Sequence, residues 1–341
     1  MKKRRVAVLC HEDLVPPESL EGLEKKEIAP WKTEFAVVDT LRALGHDVHV
    51  RGVSDDLAPI RRVAQGFEPH VFFNLLMEFQ DLATYQAHVV SYLELLGARY
   101  TGCNSRGILL TRDKALCKKI LRYHRVPTPR FAVFPIGRRA RPSGSLRYPM
   151  IVKSVDEEAS LGISQASVVN DEERLRERVE FVHRNVGTDA IAEEYVEGRE
   201  LTLSVIGNDR LTALPVWELF FRNLPEGSLP IATARAKFDL DYQKRSGIDN
   251  GPAEELEPKT AARIAKLGKR VYRALGLSGY ARLDLRLAPD GRVFVIEVNS
   301  TPDVAEDEDL SRSALAVGID YPALIQRIVN LGMAYRLPGT H

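Results

Sequence analysis

The sequence predicts an α/β (α+β) protein of three units, and three observations carry that prediction. From residue 4 to about 105, short apolar strands alternate with helical segments, the pattern of a parallel α/β unit. The prolines of Val126-Pro127-Thr128-Pro129 then end a helix and favour an extended entry into a second set of strands and helices. A hairpin pattern between Arg282 and Asn299, preceded by a long amphipathic helix, organises the last stretch. The boundaries expected are 1–105, 106–196 and 197–341.

Composition permits this and narrows the partners. The 341 residues are 44% hydrophobic, enough to bury substantial cores. Forty-eight basic residues against 47 acidic ones leave a net charge of +1, so no global field argues for nucleic acid or an anionic membrane. The segment Met1 to Cys10 has a basic start but lacks the apolar core and cleavage site of a secretory signal, and it reads as a first strand. No apolar run approaches the roughly 20 residues of a membrane span. Cys10, Cys103 and Cys117 form neither a disulfide framework nor a zinc pattern, which makes the cytoplasm the expected location.

In the first unit, strands are expected at Arg5 to Cys10, Asp47 to Val53 and His70 to Leu76, with helices around Glu34 to Leu44 and Leu82 to Leu96. The functional surface of a parallel sheet lies beyond the carboxyl ends of its strands. Cys10-His11-Glu12-Asp13 and Asn74-Leu75-Leu76-Met77-Glu78 stand there, as pocket residues or as plain loops. A helix over Arg112 to Tyr123 leads into the second unit, with strands at Met150 to Ser154 and Ala190 to Val196 and a charged helix over Asp171 to His183. Strands at Arg199 to Ile206 and Leu211 to Leu219, a helix over Pro258 to Leu275 and two closing helices, Ser311 to Val317 and Tyr321 to Leu331, make up the third. Phe221 to Pro258 shows little periodicity and reads as a disordered stretch or a lid.

Chemistry concentrates in the hairpin. Leu283, Leu285 and Leu287 alternate with Arg282, Asp284 and Arg286; Phe294, Ile296 and Val298 alternate with Val295, Glu297 and Asn299; Pro289-Asp290-Gly291 supplies the turn. Closure of that turn by Ala288 and Gly291 would set Asp284 opposite Val295 and Arg282 opposite Glu297, with the polar residues on one face. Carboxylates in a strand are costly unless compensated, and Asp, Glu and Asn are hard oxygen ligands suited to Mg2+ shared with phosphates. The alternative is a solvated face carrying an Arg282–Glu297 ion pair.

Lys153 ends the apolar run Pro149-Met150-Ile151-Val152, where a cleft and an anion suit it better than an open face. The following Ala159-Ser160-Leu161-Gly162 could bring backbone N–H groups to phosphate oxygens. In Ile191 to Thr202, a strand, the turn glycine Gly198 and a second strand set Glu193 and Glu200 at either end of a hinge that could hydrogen-bond adenine and ribose.

Taken in order, Tyr100-Thr101-Gly102-Cys103, Arg112-Asp113-Lys114, Val126 to Phe131, Ile151-Val152-Lys153, Glu193 to Thr202 and the Arg282/Asp284/Glu297/Asn299 hairpin resemble the ATP-grasp superfamily, in its D-alanine–D-alanine ligase-like branch. The resemblance covers most of the chain. It implies an ATP-grasp fold in which an N-terminal parallel α/β domain precedes two α+β subdomains that grip ATP. It implies Lys114 and Lys153 on the α- and β-phosphates, with Ser160 and Gly162 in the loop beside them. Glu193 with the backbone of Tyr195 and Val196 becomes the adenine site, and Glu200 the ribose carboxylate. Asp284, Glu297 and Asn299 become ligands of two Mg2+ ions, with Mn2+ as a substitute, and Arg282 the stabiliser of the transferred phosphoryl group. The reaction implied activates a small-molecule carboxylate as an acyl phosphate and joins it to an amine, releasing ADP and phosphate. Lys237 to Arg245 resembles the lid, with Lys244 favoured for the terminal phosphate and Lys237 and Arg245 open. Relatives of this kind suggest a homodimer through the first domain.

The substrate motifs depart from the branch. Cys10-His11-Glu12-Asp13-Leu14-Val15-Pro16-Pro17 stands where a Gly/Ser-rich loop is the pattern, and Asn74 to Phe79 replaces a His-Gly motif. Asn299 is followed by Ser300-Thr301-Pro302-Asp303 and acids through Asp309, which would repel a carboxylate and attract a cationic amine, or simply cap the helix that follows. D-Alanine as both substrates is therefore not expected. Two rival readings are an ATP-binding protein without catalysis and a small-molecule phosphotransferase.

Overall fold

The computed structural model describes residues 2–22, 24–140, 144, 146–157 and 162–336. Strands β1 (Arg5–His11), β2 (Asp47–Val53) and β3 (Val71–Asn74) form a parallel sheet in the order β2-β1-β3. Val6 to Cys10 are all buried, so β1 reads as a continuous apolar run, as a strand covered on both faces must. The helix expected over Arg112 to Tyr123 is present as Lys114–Tyr123, and a separate helix, Ser105–Arg112, precedes it with Asp113 between the two. Asp113 leaves helical geometry (ψ 99°) and its side chain caps the second helix through the Leu116 amide at 2.8 Å.

Strands β4 (Phe131–Phe134), β5 (Met150–Ser154), β6 (Val168–Val169) and β7 (Ala190–Glu194) form an antiparallel sheet in the order β4-β7-β5-β6. Leu175, Val179 and Val182 line one face of the helix Glu172–Asn185 and bury it on Phe134, Met150 and Val152. This unit thus has its own small core.

The third sheet has six strands, β8 (Arg199–Ile206), β9 (Thr212–Ala213), β10 (Trp217–Phe221), β11 (Ile248–Pro252), β12 (Tyr280–Leu287) and β13 (Val293–Asn299), in the order β11-β10-β8-β12-β13 with β9 beside β8. The helix Pro258–Ala274 lies against β8 at Gly268, where a Cβ would come within 2.2 Å of Leu203 Cδ2. Leu201, Leu203, Leu283 and Leu285 share one core with Leu9, Phe72 and Leu121 of the first part of the chain. The closing helix Tyr321–Ala334 returns to that first sheet, packing Leu324, Ile325 and Ile328 with Val6, Val8 and Phe73. No helix among the described residues is long and apolar enough to cross a membrane.

Two expectations need correction. The stretch from Phe221 to Pro258 is not structureless: it holds helices Ala234–Phe238 and Leu240–Ser246, each capped by its preceding Thr233 or Asp239, and the edge strand β11. The hairpin register also differs. Ala288 pairs with Arg292 across a three-residue loop, Leu285 lies opposite Val295, and a bulge then brings Asp284 opposite Glu297 and Arg282 opposite Asn299. The extra residue is Ile296. With it, Val293, Val295 and Val298 all face the core, and Glu297 and Asn299 join Arg282 and Asp284 on the other face.

Candidate functional site

The acidic face of β12 and β13 forms one wall of a cleft of about 550 Å³, lined also by Glu200, Trp217, Lys237 and Asp309. Bulge and cross-strand pairing set Arg282, Asp284, Glu297 and Asn299 side by side. Arg282 holds both oxygens of Asp284, Nε to Oδ1 at 2.8 Å and Nη2 to Oδ2 at 3.2 Å, and the Asp284 charge raises its pKa further. Glu297 lies 3.1 Å from Lys114 Nζ. Burial works to raise the Glu297 pKa, but Lys114, Lys153 and Lys237 outweigh it and hold the carboxyl at about 2. Asn299 Oδ1 accepts from the Thr301 amide at 2.8 Å, which orients the side chain.

The cleft continues beneath the Glu193 to Val196 segment as a space of about 70 Å³, bounded by Lys153, Glu193, Tyr195, Val196 and Glu200 from the second unit and hinge and by Asp284 and Glu297 from the third. Glu193 is 1% exposed. Its Oε1 stands 3.1 Å from Lys153 Nζ and 3.3 Å from Lys118 Nζ, yet neither oxygen receives a well-directed hydrogen bond. Lys118 is itself buried, donates to Ile296 O at 2.6 Å, and has its pKa lowered by that burial. For Lys153, burial lowers the pKa, but Glu193 and Glu297 more than offset it, so the net shift is upward. The Tyr195 amide is engaged with Pro149 O at 2.9 Å. Glu200 pairs with Arg286, a buried arginine that also donates to Gly198 O at 2.8 Å and Pro230 O at 2.5 Å. Burial raises the Glu200 pKa and Arg286 opposes the rise.

The structure therefore brings together Lys114, Lys153, Glu193, Tyr195, Val196, Glu200, Arg282, Asp284, Glu297 and Asn299. Ser160 lies outside the described residues, and Gly162 (φ +71°) gives its carbonyl to Arg178. Lys244 is not brought in: it sits on the exposed side of Leu240–Ser246, whereas Lys237, one helix earlier, lines both parts of the cleft. The helix capping at Thr233 and Asp239 fixes that orientation. Lys118 and Arg286 went unrecognised in the sequence although each carried a signal. Lys118 is four residues from Lys114 on one helix face, and Arg286 continues the period of Arg282 and Asp284 along the strand.

A further cavity of about 150 Å³ opens where the first sheet meets the segment after β13, lined by Asn74 to Met77 among others and sharing Met77, Thr301 and Asp303 with the main cleft. Cys10 does not line it; burial, then Glu34, pushes that thiol up to about 12.

Known proteins share this architecture. A profile of the D-ala D-ala ligase C-terminus family matches residues 133–330. A D-alanine--D-alanine ligase of Nitratidesulfovibrio vulgaris (strain DP4) is 33% identical over 298 residues, 86% of this chain and 89% of that one. The uncharacterized protein y4sG of Sinorhizobium fredii is 32% identical over 244 residues, 72% of this chain and 69% of its own. Among solved structures, D-alanine--D-alanine ligase from Bacillus anthracis complexed with ATP superposes with a TM-score of 0.74 over 97% of both chains at 21% identity. VanG D-Ala:D-Ser ligase from Enterococcus faecalis gives 0.73 over 97% of this chain and 100% of that one at 18% identity, a likeness of fold. With the profile spanning more than half of its length and a relative 33% identical over most of it, the chain belongs to the D-alanine–D-alanine ligase family and has its ATP-grasp fold.

Proposed function

We propose that this protein is an ATP- and Mg2+-dependent carboxylate–amine ligase that forms an amide through an acyl phosphate and releases ADP and phosphate. The observation that carries the reading is one continuous cleft. At one end Glu193 keeps two buried oxygens without directed hydrogen bonds, and at the other Arg282, Asp284, Glu297 and Asn299 share a strand face.

The residues present fit both groups. Glu193 Oε2 would accept from an adenine amino group beside the Val196 backbone, and Glu200, held by Arg286, would take ribose hydroxyls. Lys114 and Lys153 would hold phosphate oxygens. Asp284, Glu297 and Asn299 offer hard oxygen donors, which fit Mg2+ or Mn2+ and not a metal that seeks nitrogen or sulfur. Two such ions would neutralise charge on the phosphates as it shifts in transfer. Arg282, charged throughout, would stabilise the oxygens of the transferred group. Lys237 is the lid lysine best placed for the terminal phosphate, and the helices of residues 234–246 would exclude water from an acyl phosphate that hydrolysis would waste. No protein nucleophile is needed: the substrate carboxylate attacks phosphorus, and the amine then displaces phosphate from the acyl carbon. The substrate pair is not D-alanine with itself, because the acids from Asp303 to Asp309 disfavour a carboxylate on the acceptor. A cytoplasmic homodimer through the first domain completes the reading.

ADP release should depend on presenting a matching acid, and hydroxylamine should trap the acyl phosphate as a hydroxamate. Glu297→Gln is expected to lower kcat at least about 100-fold, the usual scale for losing one charge-stabilising group, and to raise the Mg2+ requirement. Unchanged Mg2+-dependent turnover in that variant would sink the metal assignment; ATP bound without turnover across a broad panel of acids and amines would point to a non-catalytic binder.

A further inference from the structure

We infer that Lys118 is a positioning residue for nucleotide binding: one buried ammonium sets both Glu193, the carboxylate that reads the base, and the strand bulge that presents the metal ligand Glu297. The inference rests on the ATP- and Mg2+-dependent reading above and goes beyond it, because Lys118 borders neither part of the cleft.

Lys118 lies one turn after Lys114 on the helix Lys114–Tyr123 and is 2% exposed. It borders a space of about 10 Å³ between that helix and β13, too small for a ligand. A lysine is seldom buried so fully without a charge to answer; burial lowers its pKa, and Glu193 opposes the fall. Its Nζ stands 3.3 Å from Glu193 Oε1 and donates to Ile296 O at 2.6 Å. Neutralising Glu193 does not by itself explain it, since Lys153 already stands 3.1 Å from the same oxygen.

The two lysines differ in where they can go. Lys153 also lines the cleft, where Glu297 attracts it and phosphates would compete for it. Lys118 does not reach that space, so it stays with Glu193 when Lys153 turns to a phosphate. A carboxylate held in this way through Oε1 keeps Oε2, which has no directed hydrogen bond, for the base. As an acceptor it suits the amino group of adenine and opposes the carbonyl that hypoxanthine carries at the same position.

The second bond of Lys118 acts on the metal end. Ile296 is the extra residue of the β12–β13 bulge, and its carbonyl belongs to the peptide that leads into Glu297. Lys114 stands 3.1 Å from the Glu297 carboxylate, so two lysines of one helix hold that residue by its side chain and by the backbone before it. Glu193 belongs to the second unit and Ile296 to the third, and one ammonium is shared between them. Base recognition and metal-ligand placement therefore depend on the same group.

The test uses the full chain without a carboxylate substrate, with ATP and inosine triphosphate each displacing a fluorescent ATP analogue while Mg2+ is titrated. Lys118→Met should lower the ratio of ATP to inosine triphosphate affinity about tenfold and raise the Mg2+ midpoint about tenfold, the scale for losing a charged hydrogen bond and for disturbing the shell around a metal ligand. In a Glu193→Gln background the same substitution should leave the ratio unmoved and still raise the Mg2+ midpoint. A residue that served stability alone would lower the melting temperature and move neither quantity in the folded protein. A wild-type ratio or a wild-type midpoint in folded Lys118→Met would overturn the inference, as would an equal fall in the ratio with Glu193→Gln present. Should Lys118→Met fail to fold, Lys118→Met combined with Glu193→Gln, which removes both partners at once, carries the Mg2+ arm, and a midpoint equal to that of Glu193→Gln alone overturns it. No ATP binding by the wild type defeats the nucleotide reading itself, whereas normal binding by the wild type with ratio and midpoint unmoved in the variant defeats only the role of Lys118.

Discussion

Glu34 shows how a single residue can oppose the fold that contains it. Burial, then the Asp303 charge, lifts its pKa to about 7, above the 4.5 of an exposed glutamate. The folded state therefore favours the protonated acid, and this contribution is fully present below about pH 4.5 and is lost as the pH rises through 7. A shift of that size corresponds to on the order of 3 kcal/mol at alkaline pH, since one pKa unit is worth about 1.4 kcal/mol. Cys10, pushed up to about 12, stays neutral across this range and contributes nothing to the change. Glu34→Gln should raise the urea midpoint at pH 8.5 and leave it nearly unchanged at pH 4. A stability gain independent of pH would mean that ionisation is not the cause. None of this was legible in the sequence, where Glu34 is one acid among many in a helix; its meaning comes from the burial that folding imposes and, after that, from Asp303, 269 positions away.

At the scale of elements, the chemistry of the hairpin was legible and its register was not. Arg282, Asp284, Glu297 and Asn299 announced themselves by charge in an otherwise apolar pair of strands. The bulge at Ile296 carries no Gly or Pro to mark it, and only the demand that Val295 and Val298 both reach the core fixes it. The hinge before β8 was likewise legible through Gly198, and the structure gives the reason: at φ +138° a Cβ there would lie 2.1 Å from Leu287 O. What joins hinge, lid and sheet is Arg286, whose guanidinium reaches Gly198 O, Pro230 O and Glu200 at once. Arg286→Met should cost about 3–5 kcal/mol, the scale for leaving a partner charge buried and alone. Arg286→Met with Glu200→Gln should recover most of that loss, because no unpaired charge remains. Chemical denaturation of the four proteins of the cycle measures the coupling, and additive losses would deny the pairing any energetic role.

For the whole molecule, the distribution of cores decides what can move. The first sheet and the six-stranded sheet share one apolar core, and the closing helix ties them again through Leu324, Ile325 and Ile328, so they form a single base. The second unit has a separate core around Met150, Val152, Leu175 and Val179. Part of its link to the base is polar: beside the small apolar cluster of Ala115, Val155 and Ile191, Lys118, on the helix Lys114–Tyr123, bridges Glu193 of β7 to Ile296 O of β13. Polar interfaces between units favour relative motion over rigid attachment. A nucleotide bound between Lys153 and Glu193 on one side and Asp284 and Glu297 on the other would add contacts to both bodies, and ligand that binds only the closed arrangement must shift the population towards it. Adding a non-hydrolysable ATP analogue with Mg2+ should therefore slow amide exchange in β5, β7 and the helices of residues 234–246, while β1 to β3 exchange as before. Equal slowing of the first sheet would mean that the ligand stabilises the whole chain globally and that the second unit is not an independent jaw.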